Sequence, residues 1–382
     1  MKNQVKRREV FYLSGYDPRG ARYYYGLYKK EGALQSKVNG LQLDVSSRKR
    51  TAKHLQSWEI KASSKEGETR TNYHFLEWDD LIRLEWKKSA LALILDLIFY
   101  VKAYLLSGAF RKYSKNFPYQ MVSLFYPLVY ISLMVILSLV SGWFLFEYLD
   151  EKYSFLLSIL FSFFLVNTII YFALLVADKM ALFWLLRIFV FSARYVYDKN
   201  PSLEQRIEYF SKEIRKSLNK LKANKTDEVL FVAHSVGAIL MISTLAKVLK
   251  SLDNSLEISI LTLGECTPLV SGISESTIFK NDMKYIAEQK NITLLDYGTL
   301  IDGACFPSLN YFTDINLDVR YKENFNFKSP RFHTLFLKNK YKEIRRNKYL
   351  THFLYLMSSE IEGEYDYFKM TVGHDFLQKE RI

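Results

Sequence analysis

The sequence predicts an α/β fold: a mostly parallel sheet with helices on both faces, interrupted by a two-span transmembrane helical hairpin. Three observations carry this. Glu228–Ala233 is a short Val/Leu/Phe-rich run that turns at Ser235 into the helical spacing of Val236–Lys250. Strand and helix patterns alternate on both sides of it. Between the two polar portions lie two long runs without a charged residue.

Taken in chain order, Glu9–Leu13 (EVFYL) reads as a buried strand that ends in a Gly/Pro turn, SGYDPRG, with a helix starting near Ala21. Leu41–Val45 and the region from Trp58 to Trp78 read as further strands, the latter a hairpin around SKEGE. Asp79 and Asp80 follow at a helix start, where a capping and surface role fits them. After the helix that follows Ser235, Glu257–Leu263 and Ile292–Tyr297 read as strands around a helix near Ile278–Lys290.

The uncharged runs extend from Asn116 to Phe146 and from Tyr153 to Ala177, each long enough for the ~20 apolar residues that cross a bilayer. Only EYLDEK joins them. Tyr119, Trp143, Tyr148 and Tyr153 stand near the ends, as an interfacial belt requires. Arg111, Lys112 and Lys115 precede the pair, and Lys179, Arg187 and Arg194 follow it, which predicts cytoplasmic flanks. Residues 1–87 and 201–382 then share one face, as two parts of one domain split by a membrane insertion over 88–200. Ser89–Phe110 and Met180–Tyr197 are apolar but carry Asp96, Lys102, Arg187 and Arg194, which suits helices at the interface or packed between membrane and domain. The opening MKNQVKRREV has no apolar core of a secretory signal.

Composition narrows the rest. Lys plus Arg number 53 against 40 Asp plus Glu, a formal charge of +13. Nucleic acid is an unsuited partner, because the basic residues are scattered and the densest late cluster, Arg345–Lys348, sits in no nucleic-acid motif. Anionic lipid headgroups are the partner the charge predicts. Cys266 and Cys305 form no disulfide framework and match no metal-site spacing, so neither metal nor cofactor is expected. The oligomeric state stays open.

A serine between strand and helix sits on a sharp turn at a helix N-terminus, where free amides can hold a developing oxyanion. Such a turn needs small residues two before and two after it, here Ala233 and Gly237. The other reading of Ser235 is a plain N-cap. The pentapeptide AHSVG resembles the G-x-S-x-G nucleophile elbow of the α/β-hydrolase fold, with Ala233 in place of the first Gly. That resemblance implies the chain order serine, acid, histidine. In LLDYGTLIDGACF the loop carboxylate is Asp302, with Asp296 in the strand as the lesser choice; His352 in YLTHFLYLMSS is the first choice of base, and His333 the alternative. The oxyanion amides fall near Tyr16 and Val236. His234 is expected to point away from the reaction. VFYLSGYDPRGARYYYGLYKKE, FLEWDDLIRLEW and HFLYLMSS with YDYFKMTVG also resemble uncharacterised bacterial hydrolase-like proteins, which implies a bacterial inner membrane. The expectation is a membrane-anchored serine hydrolase of esterase, lipase or thioesterase type acting on an ester or acyl substrate. The alternative is a catalytically inactive hydrolase-like module that binds or assembles.

Overall fold

The computed structural model describes residues 4–86, 90–109, 111, 113–114, 118–198, 200–224, 226–251, 257–317 and 324–377. Among them are nine strands and fourteen α-helices. The strands are β1 (Arg7–Leu13), β2 (Gln42–Val45), β3 (Lys49–Ala52), β4 (Leu55–Ser64), β5 (Gly67–Leu76), β6 (Glu228–His234), β7 (Ile258–Leu263), β8 (Ile292–Tyr297) and β9 (Phe325–Lys328). They form one sheet in the order β2-β4-β5-β1-β6-β7-β8-β9, with β3 also on β4. From β5 to β9 all neighbours are parallel; β2, β3 and β4 add an antiparallel edge. β6 and β7 are buried at every residue, as expected for parallel strands covered on both faces.

The sheet joins the two polar portions of the chain. β1 lies between β5 and β6, and its β6 partners stand more than 200 positions later. Alternation along β1 sends Phe11 and Leu13 into one core and Val10 and Tyr12 into the other. The second core is where the phrases singled out in the sequence converge. The helix Gly20–Asn39 meets residues 358–371: Ser358 N–H donates to Glu31 at 3.1 Å, Ser359 N–H to Gln35 at 2.7 Å, and the Tyr28 and Thr371 hydroxyls lie 3.0 Å apart. Across the β1–β6 seam, buried Arg8 donates to Glu228 at 2.7 Å and to the carbonyls of Gly373 and Asp375.

Two helices, Pro118–Asp150 and Phe155–Lys179, are long and apolar enough to cross a membrane. Only 11% of the most apolar window of each is buried, so they are not core helices. Val129, Trp143, Phe163 and Phe172 are among their exposed residues. Polar side chains on the second turn back on their own helix: Asn167 and Thr168 donate to the Phe163 and Phe164 carbonyls at 2.7 and 2.8 Å. The helices touch at Gly142, where a methyl would stand 2.5 Å from Val166 Cγ2, and the Tyr130 hydroxyl donates to the Ala173 carbonyl. The joining acidic residues are mostly helical; the turn itself is Glu151–Tyr153. The belt side chains Trp143, Tyr148 and Tyr153 are exposed, while the Tyr119 side chain, Lys112 and Lys115 lie outside the described residues.

The flanking apolar pieces pack between this hairpin and the sheet. Leu182–Tyr197 is a largely buried bridging helix, and Ala90–Tyr100 lies against it. Their charges find partners: Arg194 donates to buried Asp96 at 2.7 Å, and Arg187 lies over the Trp86 ring. Helix Pro201–Asn224, strands β3 and β9, and helix Lys338–Arg346 went unread in the sequence.

Candidate active site

The loops after β1, β6, β7 and β8 all leave the same edge of the sheet. From β1 the chain moves out to the β5 side and returns through β6 on the other, so the β1–β6 seam is a topological switch point, the usual place for a site in an open α/β sheet. Ser235 stands there, between β6 and the elbow helix Gly237–Leu249. Its φ is +56°, a left-handed conformation that a non-glycine residue adopts only where its surroundings enforce it. The Ser235 N–H still bonds Leu263 of β7 at 2.9 Å, so the turn begins immediately past the ladder.

Small residues surround it for steric reasons. A methyl on Gly237 would stand 2.5 Å from Leu13 O and 2.6 Å from Ser14 O. On Gly15 it would stand 2.8 Å from Ser235 Cβ and 3.3 Å from Oγ, so the β1 loop lies directly against the serine. Ala233 is fully buried in register with Leu13 and Thr262, and its φ is not positive, so this position does not demand glycine. We predict that Gly15→Ala costs about 1–3 kcal/mol of stability by overpacking, read by thermal unfolding; an unchanged melting temperature would contradict this contact.

The β1 loop is held from below. Trp78 Nε1 donates to the Ser14 carbonyl at 3.0 Å, and the Tyr16 ring packs on Trp78, Trp86 and Phe191. The backbone N–H groups of Tyr16 and Val236 donate to no acceptor among the described residues. Val236 follows Ser235 in the chain, and Tyr16 follows Gly15, which lies against the serine.

Asp302 and His352 meet, though fifty positions apart. The His352 Nδ1–H donates to the Asp302 carboxylate at 2.9 and 3.0 Å, and the Ala304 N–H donates to the same carboxylate at 3.0 Å. Burial alone would raise Asp302, but the ring beside it and these bonds hold its pKa below the ordinary carboxylate value. With Nδ1 carrying the proton, Nε2 has its lone pair free, and it has no hydrogen-bond partner among the described residues. His352 sits in the helix Lys348–Phe353, capped by Asn347, whose side chain accepts from Leu350 N–H. Arg19, gripped by buried Asp17, lies over the Phe353 ring at 4.6 Å and thereby ties the YDPRG turn to this helix.

His333 is exposed, edge-on to Tyr341, and does not reach the site. Asp296 accepts from Thr262 at 2.6 Å instead of meeting a histidine. Asp79 and Asp80 pair with Arg83 and Arg206. His234 Nε2–H donates to the His352 carbonyl at 2.8 Å, with the two rings 4.7 Å apart. Burial first, and His352 second, lower His234 to about 3, so it remains neutral.

Two features escaped sequence reasoning. The Ser235 hydroxyl lies 3.4 Å from Cys266 Sγ, and that thiol donates to the Ala304 carbonyl at 3.2 Å, which leaves the serine as donor to sulfur. Burial keeps the thiol protonated. Beneath it Glu265 and Asp296 are fully buried, each with one carboxylate oxygen lacking a partner among the described residues. Desolvation raises both, Asp296 to about 7, and each carboxylate disfavours the other's charge. The folded state therefore binds a proton that the unfolded chain releases near pH 4, so stability falls as pH rises from there towards 7. Asp302 acts with the opposite sign, but only below its ordinary value. We predict that Asp296→Asn flattens the fall in melting temperature between about pH 4 and 7. An unaltered slope would contradict the assignment.

No family model matches this chain, and neither does any curated protein or solved structure.

Proposed function

We propose that the protein is a membrane-anchored serine hydrolase that acts on an ester or thioester through an acyl-enzyme, and that its fold is of the α/β-hydrolase type. The observation that carries this is the Asp302–His352 dyad, whose imidazole lies 4.7 Å from the ring of His234, the residue before a serine held at positive φ on a strand-to-helix turn. The Ser235 hydroxyl turns from Cys266 to His352 Nε2, which takes its proton as Oγ attacks the carbonyl carbon. The Val236 and Tyr16 N–H groups hold the oxyanion. As the bond to the leaving group breaks, His352 returns the proton to it. Water then adds to the acyl-Ser235 ester, with His352 as base, and the free acid departs. Asp302 keeps Nδ1 protonated and stabilises the imidazolium, a role that its lowered pKa supports.

On this reading the hairpin crosses the membrane and both polar portions lie on the cytoplasmic side with Arg111 and Lys179. Neither metal nor cofactor enters the reaction. A second reading, an inactive scaffold, is favoured by the Ser235 side chain being almost wholly buried with its hydroxyl on sulfur. Acyl trapping separates them. The full chain in detergent, incubated with an activated acyl ester at mildly acidic pH where deacylation is slow, should gain one acyl mass on the peptide containing Ser235. No adduct, or one elsewhere, would leave the scaffold.

A further inference from the structure

A cavity of about 770 Å³ lies where the hairpin meets the sheet domain, within the size range of small-molecule sites. Its outer walls are apolar: Val122 and Tyr126 from the first hairpin helix, Met180 from the junction after the second, and Trp184 and Leu185 from the bridging helix. Its inner wall is Asp302, Gly303 and Ala304. That wall is one layer from the reaction. Asp302 binds His352, the Ala304 carbonyl accepts from Cys266, and the Trp184 ring stands edge-on to His352 at 5.0 Å. The loop also sits directly on the hairpin, since a methyl on Gly303 would stand 2.5 Å from Ser123 Oγ.

The charges around the cavity are unbalanced. Lys179, Arg346 and Lys348 line it, and among the described residues none of the three has an ion-pair partner. Of the two acidic residues in the lining, Asp302 is taken up by His352 and Glu343 has Lys340 at 3.7 Å. Lys179 is the last residue of the second hairpin helix, the level at which the headgroup region would begin. Apolar walls towards the hairpin and cations at its end match one kind of molecule, with a hydrocarbon chain and an anionic head.

We infer that this cavity binds an acyl-ester lipid with an anionic phosphate headgroup, its chains against Val122, Tyr126 and Leu185 and its phosphate among Lys179, Arg346 and Lys348. The ester then lies by the Asp302 loop, on the route to Ser235. A soluble phosphate would satisfy the cations and leave the apolar walls in water. The identification as substrate rests on the hydrolase reading above, but binding does not, so the test separates them.

The full chain carrying Ser235→Ala is placed in phosphatidylcholine nanodiscs with a trace of phosphatidylglycerol bearing a diazirine on its acyl chain, then irradiated and mapped by mass spectrometry. Label should fall on the cavity walls. It should drop about fivefold for each cation removed, on the order of a hundredfold for Lys179→Gln, Arg346→Gln and Lys348→Gln together. Removing three exposed lysines outside the cavity, Lys29, Lys37 and Lys338, should leave it within about twofold. Equal loss with those control changes, or equal labelling by a phosphatidylcholine probe, would overturn the proposal. So would complete competition by inorganic phosphate, which would make the ligand a soluble anion. Strong, charge-dependent labelling in a protein that forms no acyl-enzyme with Ser235 intact would instead sink the hydrolase reading and leave the lipid site standing.

Discussion

On the hydrolase reading, replacing Ser235 by alanine should remove ester turnover, by on the order of a million-fold when nucleophile and base act as one unit, while the melting temperature should stay close to that of the wild type. The loss is large because the oxygen that forms the acyl bond is gone, not because the fold is disturbed. The side chain makes one hydrogen bond among the described residues, 3.4 Å to Cys266, and its backbone bond to Leu263 survives the change. Asp302→Asn should cost about ten-thousand-fold, because an amide cannot hold the His352 ring with Nδ1 protonated. Turnover of a soluble ester by purified protein, beside thermal unfolding of the same samples, measures both. Retained turnover in Ser235→Ala would remove the serine from the chemistry.

The second large effect is on stability. Arg8→Ala should destabilise the protein by about 3–5 kcal/mol, because it leaves Glu228 charged and buried without its partner. Glu228 would keep bonds from Ser259 and from the Leu377 N–H, which stabilise a carboxylate without neutralising it. The same arginine holds the carbonyls of Gly373 and Asp375, so its removal also loosens the C-terminal segment, which keeps the bonds of His374 to Val5 and of Leu377 to Glu228. Pairing Arg8→Met with Glu228→Gln should recover much of the loss, since the cost lies in the unpaired charge. Denaturation in one detergent at fixed pH gives the comparison. A loss under about 1 kcal/mol would show that this pair does not join the two portions of the chain.

What was legible in the sequence was local. β6, Ser235 and the elbow helix follow from a buried apolar run, a small residue on each side and helical spacing, all within some twenty consecutive residues. The two long apolar helices were legible because a helix of that length surrounded by water would carry charges on its outer face, and these carry none along their central turns. Asp302 and His352 came from chain order, which the structure brings to 2.9 Å. Contacts between distant segments were not legible. Cys266 touches Ser235 because β7 runs beside β6, and Asp296 reaches Thr262 because β8 runs beside β7; neither pairing leaves a mark in either strand alone. Asp96 and Arg194 looked like charges that keep a helix at the surface, yet they pair across 98 positions inside a packed layer. The helix Pro201–Asn224 is not legible, because its polar composition reads as a solvated segment until Phe210, Ile214 and Leu218 are seen against the core.

Whether Ser235 is an activated nucleophile is decided most directly by a fluorophosphonate probe applied to the full chain in lipid. The expected result is a single adduct at Ser235, absent in Ser235→Ala and greatly slowed in His352→Gln. Wild-type protein that stays unlabelled in lipid, or a labelling rate indifferent to His352, would contradict it.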